Sequence, residues 1–172
     1  MNSLKSILCF YAFLFLIGCT EVYFTESQPQ GKKYLEEIPP DMQGWFVDPN
    51  GNDSVHIRTR GFDFPDETAT LSDSIVLTKW KDFYFLNIRD NSKGLWEVYM
   101  IQKVNAFEIQ VSSIDGEKKN NIDRLKKYTT VTSQLKSDGE IDYYLVNPSS
   151  KEFKSLVKDG FFDSQITYRK VN

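Results

Sequence analysis

Four β-rich segments in the middle of the chain, separated by short polar links, constrain the fold more than any other feature. The segments at 74–79, 83–88, 95–102 and 107–113 are rich in β-branched and aromatic residues, which favour strands. The links between them have three to six residues, whereas a parallel crossover needs a dozen or more. Consecutive strands must therefore be antiparallel neighbours, and the sequence predicts a four-stranded meander over residues 74–113.

The third of these segments, 95–102, has apolar residues on both of its faces. Successive side chains of a strand point to opposite sides, so Trp96 and Val98 share one face while Tyr99 and Ile101 share the other. Because neither face is polar, we expect both to be covered. Closure of the sheet into a barrel and a helix on the back of the sheet are the two ways of covering them.

Further strands and two short helices are predicted on both sides of the meander. The second helix is the best specified, because Ser149 and Glu152 fit a capping box and Gly160 suits the C-terminal position. Residues 61–73 are irregular and acidic, which predicts a loop. The remaining predicted elements are strands at 45–47, 54–60, 129–135, 141–146 and 161–171, and helices at 117–127 and 150–158.

Together these elements predict a mainly β chain, of the β-rich α+β class. Meander order and short turns favour an antiparallel meander of about eight or nine strands, curled into a barrel or half-barrel and accompanied by two short helices. The dipeptide Gly44-Trp45, which opens the first strand after a loose segment, is similar to the start of lipocalin-like barrels. That resemblance implies an apolar cavity for a small ligand.

The first eighteen residues have the three parts of a secretory leader. Lys5 supplies a positive charge, residues 7–17 are all apolar, and Gly18 precedes Cys19. An eleven-residue helix measures about 16 Å, about half of the ~30 Å hydrocarbon core of a bilayer, so no permanent transmembrane helix is expected. An ordinary secretory signal cleaved near Cys19 is the alternative to a lipoprotein signal.

Residues Leu16-Ile17-Gly18-Cys19 resemble a bacterial lipobox. The resemblance implies a signal peptide over 1–18, cleavage before Cys19, and acylation of the Cys19 thiol and of the new amine. Several acyl chains hold a protein stably on a membrane. The protein is therefore expected in the cell envelope, anchored by lipid on Cys19 to the outer membrane. Both the periplasmic side and the cell-surface side of that membrane are compatible with this prediction.

Such processing leaves no free thiol. The chain contains two cysteines; Cys9 leaves with the leader, and Cys19 carries the lipid. A disulfide, a thiolate metal site and a cysteine nucleophile are thereby excluded. Residues 19–40 mix prolines, a glycine and charges without a lasting period, which predicts a lipidated cysteine followed by a flexible tether. A single β-rich domain is then predicted over 41–172.

The candidate binding residues on a strand are His56, Arg58 and Arg60. They share one face of the alternating segment 54–60 and would form a cationic row that binds an anion. A solvated sheet face is the alternative. His56 is the only histidine, and a general base or a metal site needs partners that the sequence does not place beside it.

No catalytic, cofactor-binding or metal-binding residue is predicted, because the common motifs for these sites are absent from the sequence. The formal net charge of −3 gives no reason to expect nucleic acid as a partner. Cys19 with Tyr23-Phe24, Gln28-Pro29-Gln30 and Ile38-Pro39-Pro40 resembles small envelope lipoproteins of Bacteroidetes-type bacteria. That resemblance implies an envelope location and no particular activity.

The expected function is that of a lipid-anchored envelope lipoprotein with a non-catalytic binding or accessory domain. Its partners are expected to be the membrane, through acylated Cys19, and either a small apolar ligand or another envelope protein. Two alternatives stay open at this point. One is a structural module for protein–protein contacts in the envelope, and the other is a hydrolase with an unrecognised site.

Overall fold

In the computed structural model, which describes residues 20–51 and 53–171, one hydrogen-bonded sheet of twelve strands carries two α-helices. The mainly β class with two short helices is thereby confirmed. A 3-10 turn spans Pro40–Met42, and the helices are α1 (Lys119–Leu125) and α2 (Ser150–Lys158). The strands are β1 (Glu21–Phe24), β2 (Gly44–Val47), β3 (Ser54–Arg58), β4 (Gly61–Asp63), β5 (Thr68–Thr70), β6 (Ile75–Trp80), β7 (Phe83–Asp90), β8 (Leu95–Lys103), β9 (Glu108–Ile114), β10 (Val131–Leu135), β11 (Ile141–Val146) and β12 (Phe162–Val171).

The predicted meander is confirmed as β6–β7–β8–β9, each strand antiparallel to the next. Strand β8 is where the sheet branches. One edge of β8 pairs with β7 from Leu95 to Gln102. The other edge pairs with β9 from Met100 onward and with β1 at Trp96. One wing continues in the order β9-β12-β2-β3-β4-β5, and the other in the order β1-β11-β10.

The sheet departs from the predicted antiparallel barrel in two respects. Strands β1 and β11 pair in parallel, with Phe24 opposite Val146. No short turn connects these two strands, so nothing in the local sequence sets their relative direction. The sheet is also not closed, which leaves the half-barrel form of the prediction.

Both faces of β8 are buried, as its sequence predicts. Tyr99 and Ile101 contribute to one core, here called the barrel-side core, around which the β9–β5 wing curls together with β6 and β7. Val98 and Met100 contribute to a second core on the opposite face, the helix-side core, which α1 and α2 cover. In the helix-side core the Phe85 ring meets that of Phe153 edge-on at 5.1 Å.

Helix α2 has the predicted bounds and the predicted cap. Ser149 Oγ accepts a hydrogen bond from Glu152 N at 3.4 Å, and Glu152 Oε2 accepts one from Ser149 N at 2.7 Å. Phe153 and Leu156 on its apolar stripe are fully buried in the helix-side core. Gly160 follows with a φ of +69°, a conformation that only glycine adopts without strain.

The prediction of a loop over residues 61–73 is wrong. Strands β4 and β5 occupy this stretch, and they bury Phe62 and Ala69 opposite each other in the barrel-side core. Each strand has three residues and only one apolar side chain, Phe62 in β4 and Ala69 in β5. Strand β4 pairs with β3 and β5 pairs with β4, so both strands depend on a neighbouring strand more than on a local pattern.

The prediction of a flexible tether over 19–40 is also wrong for the described part of that range. Residues Glu21–Phe24 form β1, which lies between β8 and β11 inside the sheet. Tyr23 and Phe24 are 0% and 1% exposed. The folded domain therefore begins at Glu21, two residues after Cys19, rather than at residue 41.

A buried amide fixes the next part of this segment. Asn87 on β7 accepts a hydrogen bond from Gln28 N at 2.6 Å and donates one to Gln28 O at 3.0 Å, much as a neighbouring strand would. Thr78 on β6 donates to the same carbonyl oxygen at 2.7 Å. All three residues are fully buried. Buried backbone groups need such partners, so these contacts hold the chain at Gln28 on the sheet.

Residues 35–38 form a strap between two separate parts of the sheet. Leu35 N donates to Leu77 O on β6 at 2.8 Å, and Ile38 N donates to Thr59 O in the β3–β4 turn at 2.7 Å. Ile38 is buried in the barrel-side core. The segment predicted to be a tether therefore helps to hold the curled wing against β6.

We expect Asn87→Ala to lower the free energy of unfolding by about 2–3 kcal/mol, because it leaves the buried Gln28 N–H without a partner. Asn91→Ala, in the exposed β7–β8 turn, is the matched control and should change the free energy by about 0.5 kcal/mol or less. Urea unfolding followed by circular dichroism measures both. Equal effects of the two substitutions would contradict the anchoring role of Asn87.

Candidate functional site

Four large apolar side chains are exposed at one end of the sheet, where β8 turns into β9, β12 ends and β2 begins. Trp45 and Phe107 are 51% and 61% exposed, and Val104 and Val171 are similarly open to solvent. Trp45 is paired with Val171 across β2 and β12, and Phe107 O accepts a hydrogen bond from Lys170 N at 2.7 Å. These four residues are called the exposed end patch.

Trp45 is held flat against His56. The β2–β3 register places the two residues opposite each other on the same face, and their rings stack at 4.6 Å between centroids and 7° between planes. The neighbouring residue Phe46 points to the other side and is buried in the barrel-side core. Burial of Phe46 thus fixes the strand so that Trp45 is presented to solvent as a rigid aromatic surface.

The positive charge of the predicted cationic row is balanced by an acidic residue, Asp63, on the next strand. Asp63 on β4 lies opposite His56, and its Oδ2 atom is 3.4 Å from His56 Nδ1 and 2.7 Å from Arg58 Nε. Arg60 does not continue the row, because β3 ends at Arg58 and Arg60 lies in the β3–β4 turn. The structure therefore brings His56 and Arg58 together around one carboxylate and leaves Arg60 apart.

The electrostatics at Asp63 agree with this arrangement. Burial alone would raise the pKa of its carboxyl group, but hydrogen bonds from Thr68 and Arg58, with the positive charge of Arg58, hold the pKa below its usual value. Asp63 therefore stays ionised and forms an ion pair with Arg58. The sequence prediction missed it because Asp63 was assigned to a loop.

A shallow depression of about 450 Å³ adjoins the exposed end patch. Phe107 and Lys170 line it, and Glu108 and Arg169 form an ion pair at its side with 3.0 Å between Arg169 Nε and Glu108 Oε1. Charged side chains thus lie beside the apolar residues of the patch. This distribution is typical of the core and rim of a protein-binding surface.

A second group of charged and polar side chains, partly buried, lies between β1 and the β7–β8 turn. Tyr23 OH donates to Glu21 Oε2 at 2.5 Å, and Lys93 Nζ donates to Asp90 Oδ2 at 2.8 Å and to Tyr23 OH at 3.2 Å. Beside them, Tyr99 OH donates to Glu97 Oε2 at 2.6 Å. Glu21, Tyr23, Asp90 and Lys93 thus form one polar network, and Tyr99 and Glu97 form a separate hydrogen-bonded pair.

Glu97 has the most perturbed carboxyl group among these residues. Its pKa is raised to about 7, mainly by burial; the nearby charges of Glu21 and Asp90 add to the rise, and the Tyr99 hydrogen bond and Lys93 partly oppose it. Glu97 is only 7% exposed. Its environment favours a neutral carboxyl group that is hydrogen-bonded inside the protein.

Within the described residues, no group of three or more His, Cys, Asp or Glu side chains is arranged to hold a metal ion. No helix in that part of the chain is long and apolar enough to span a membrane. Cys19, the predicted lipidation site, lies outside the described residues. Comparisons with protein-family models, with curated proteins and with solved structures find no match to this chain.

The raised pKa of Glu97 predicts a pH-dependent stability. Below pH 4.5 the carboxyl group is protonated in both states. As the pH rises from 4.5 towards 7, the unfolded chain loses this proton first, so the folded state loses about 3 kcal/mol of relative stability. Glu97→Gln, which stays neutral, should remove that part of the decline.

Urea unfolding at several pH values between 4.5 and 7.5 measures the decline in each variant. The control Glu37→Gln removes an exposed carboxylate and should keep the slope of the unmodified protein. If Glu97→Gln also kept that slope, the assignment of a raised pKa to Glu97 would be wrong.

Proposed function

We propose that this protein is a lipid-anchored accessory protein of the cell envelope, held at the outer membrane by acylated Cys19, which binds a partner protein through the exposed end patch. The anchor part of the proposal rests on the lipobox-like residues 16–19 and the apolar run that precedes them. The binding part rests on Trp45, a large aromatic side chain that is half exposed and fixed by stacking on His56.

The exposed end patch has the chemistry of a protein-binding surface. Tryptophan, phenylalanine and arginine are enriched at interfaces, and tryptophan is frequent among the residues that dominate binding energy. Trp45 has little conformational freedom to lose on binding, because His56 already covers one face of its ring. The ion pairs Arg169–Glu108 and Arg58–Asp63 lie on neighbouring strands and supply polar groups for the rim.

A partner on the surface is favoured over a small apolar ligand inside the half-barrel. The strands around the barrel-side core direct large side chains into it, among them Phe46, Leu77 and Tyr99, and these pack against one another. A ligand in that place would have to displace them. A lipid anchor on Cys19 and a partner protein bound at the exposed end patch require no cavity inside the half-barrel.

The proposed role is non-catalytic and does not involve nucleic acid. A hydrolase with an unrecognised site would need perturbed carboxyl groups that reach a substrate, but Glu97, the strongly perturbed one, is enclosed by the protein. The net negative charge of the chain is unfavourable for contact with nucleic acid phosphates.

The anchor is tested by metabolic labelling with palmitate. We expect the unmodified protein to incorporate the label and to float with membranes. Cys19→Ala should abolish the labelling and release the protein, because it removes the acceptor thiol. Cys9→Ala is the matched control and should leave labelling unchanged. A protein that never incorporates palmitate would rule out the anchor.

The binding surface is tested by placing a photo-crosslinking amino acid at Trp45 or Phe107 in cells. Each position should give a discrete adduct with the same protein, whereas Tyr34, which is also exposed but lies outside the patch, should not. With that protein identified and purified, Trp45→Ala should weaken binding about tenfold or more, as expected for a central aromatic residue. Adducts with lipid alone, or equal adducts from Tyr34, would contradict the proposal.

A further inference from the structure

The hairpin formed by β10 and β11 carries a second exposed apolar pair, separate from the exposed end patch. Leu135 and Ile141 are 61% and 39% exposed. They are paired directly across the two strands, so their side chains lie side by side on one face. Because β10 is the last strand of its wing, this pair lies at an outer corner of the sheet.

The apolar pair lies close to the point at which the chain continues towards Cys19. Strand β1 runs parallel to β11, and Glu21 is paired with Tyr143, two residues after Ile141. Consecutive Cα atoms are about 3.8 Å apart and paired strands about 5 Å apart. Two Cα steps along each strand and the one step between the paired strands together keep the Cα atom of Cys19 within about 20 Å of that of Ile141.

No free spacer separates Cys19 from the folded domain. Glu21 already belongs to β1, and Thr20 is packed so tightly against the 115–118 loop that a Cβ atom on Gly116 would clash with the Thr20 carbonyl oxygen. Acyl chains on Cys19 would therefore hold this side of the domain against the headgroups. The headgroup layer is about 5–8 Å thick on each side of the hydrocarbon core.

We propose that Leu135 and Ile141 insert into the interfacial layer of the same bilayer that holds the acyl chains of Cys19, and that this second contact fixes the orientation of the domain. The proposal rests on the lipid anchor of the proposed function. The occupant of the apolar pair is a phospholipid surface, because a bilayer is the one partner that the anchor brings within reach of this corner by covalent attachment.

The charges around the pair specify what kind of lipid contact this is. Lys136 is accompanied by Asp138, Glu140 and Asp142 in the same hairpin, and all four side chains are exposed. An excess of negative charge does not attract anionic headgroups. The contact is therefore an apolar one that forms equally well on zwitterionic phosphatidylcholine.

The test uses the full acylated chain in phosphatidylcholine vesicles. Because the thiol of Cys19 is blocked by lipid and Cys9 is removed with the leader, a newly introduced cysteine is the only site for a thiol-reactive fluorophore. Ser137→Cys places the fluorophore at the hairpin, and Asp66→Cys places it in the exposed β4–β5 turn as a control. Quenching by spin-labelled headgroups reports proximity to the bilayer.

We expect quenching of the fluorophore at 137 and not at 66. The double substitution Leu135→Ser and Ile141→Ser in the Ser137→Cys chain should abolish this quenching while the protein still floats with the vesicles. Both side chains are exposed, so the thermal unfolding midpoint should stay unchanged, which separates loss of contact from loss of fold. Adding phosphatidylglycerol should not increase the quenching.

The outcomes separate this inference from the anchor. A chain that does not float with vesicles would disprove the lipid anchor, and the orientation inference would fall with it. A chain that floats but shows equal quenching at 137 and 66, or quenching that survives the double substitution, would overturn the insertion of Leu135 and Ile141 alone. Quenching that requires phosphatidylglycerol would overturn its apolar nature.

Discussion

The structure depends on burying both faces of the central strands at once. Strand β8 directs Tyr99 and Ile101 into the barrel-side core and Val98 and Met100 into the helix-side core. A sheet with two apolar faces cannot remain open to water on either side. The curled β9–β5 wing covers one face, and the helices with the β1–β11–β10 wing cover the other, so the branching of the sheet at β8 follows from this requirement.

The segment that follows Cys19 takes part in the same two-sided burial. Phe24 enters the helix-side core, Ile38 enters the barrel-side core, and Gln28 is held between them by the Asn87 amide. The structural consequence is that the domain begins almost immediately after the proposed anchor. With the proposed anchor on Cys19, the domain would stay close to the membrane, and the Leu135–Ile141 corner is the second membrane contact that we propose. The exposed end patch is a separate surface.

Much of the fold was predictable from sequence because its signals are local. The short links between strands specify the meander. The capping box of Ser149 and Glu152 specifies where α2 begins. The errors concern long-range partners. Residues 20–40 lack a period, and their contacts with Leu77, Asn87 and Val146 come from distant parts of the chain. The short strands β4 and β5 likewise form against a neighbour rather than from their own propensity.

The candidate site was less predictable for the same reason. His56 and Arg58 share one strand face, as the alternation indicates, but their partner Asp63 belongs to a strand that the sequence did not show. The exposure of Trp45 depends on Phe46 being buried, and alternation alone cannot say which of two adjacent aromatic residues faces the core. Cys19 stays a prediction, as no described residue tests it.

The most direct test of this account is native-state hydrogen exchange of the amides in residues 22–38, followed by mass spectrometry or NMR. If this segment belongs to the folded domain, the amide of Gln28, bound to Asn87, and the amides of Leu35 and Ile38 should be protected to an extent comparable with β8. Exchange at the rate of an unstructured chain throughout 22–38 would contradict the account, since the residues would then form the free tether that the structure excludes.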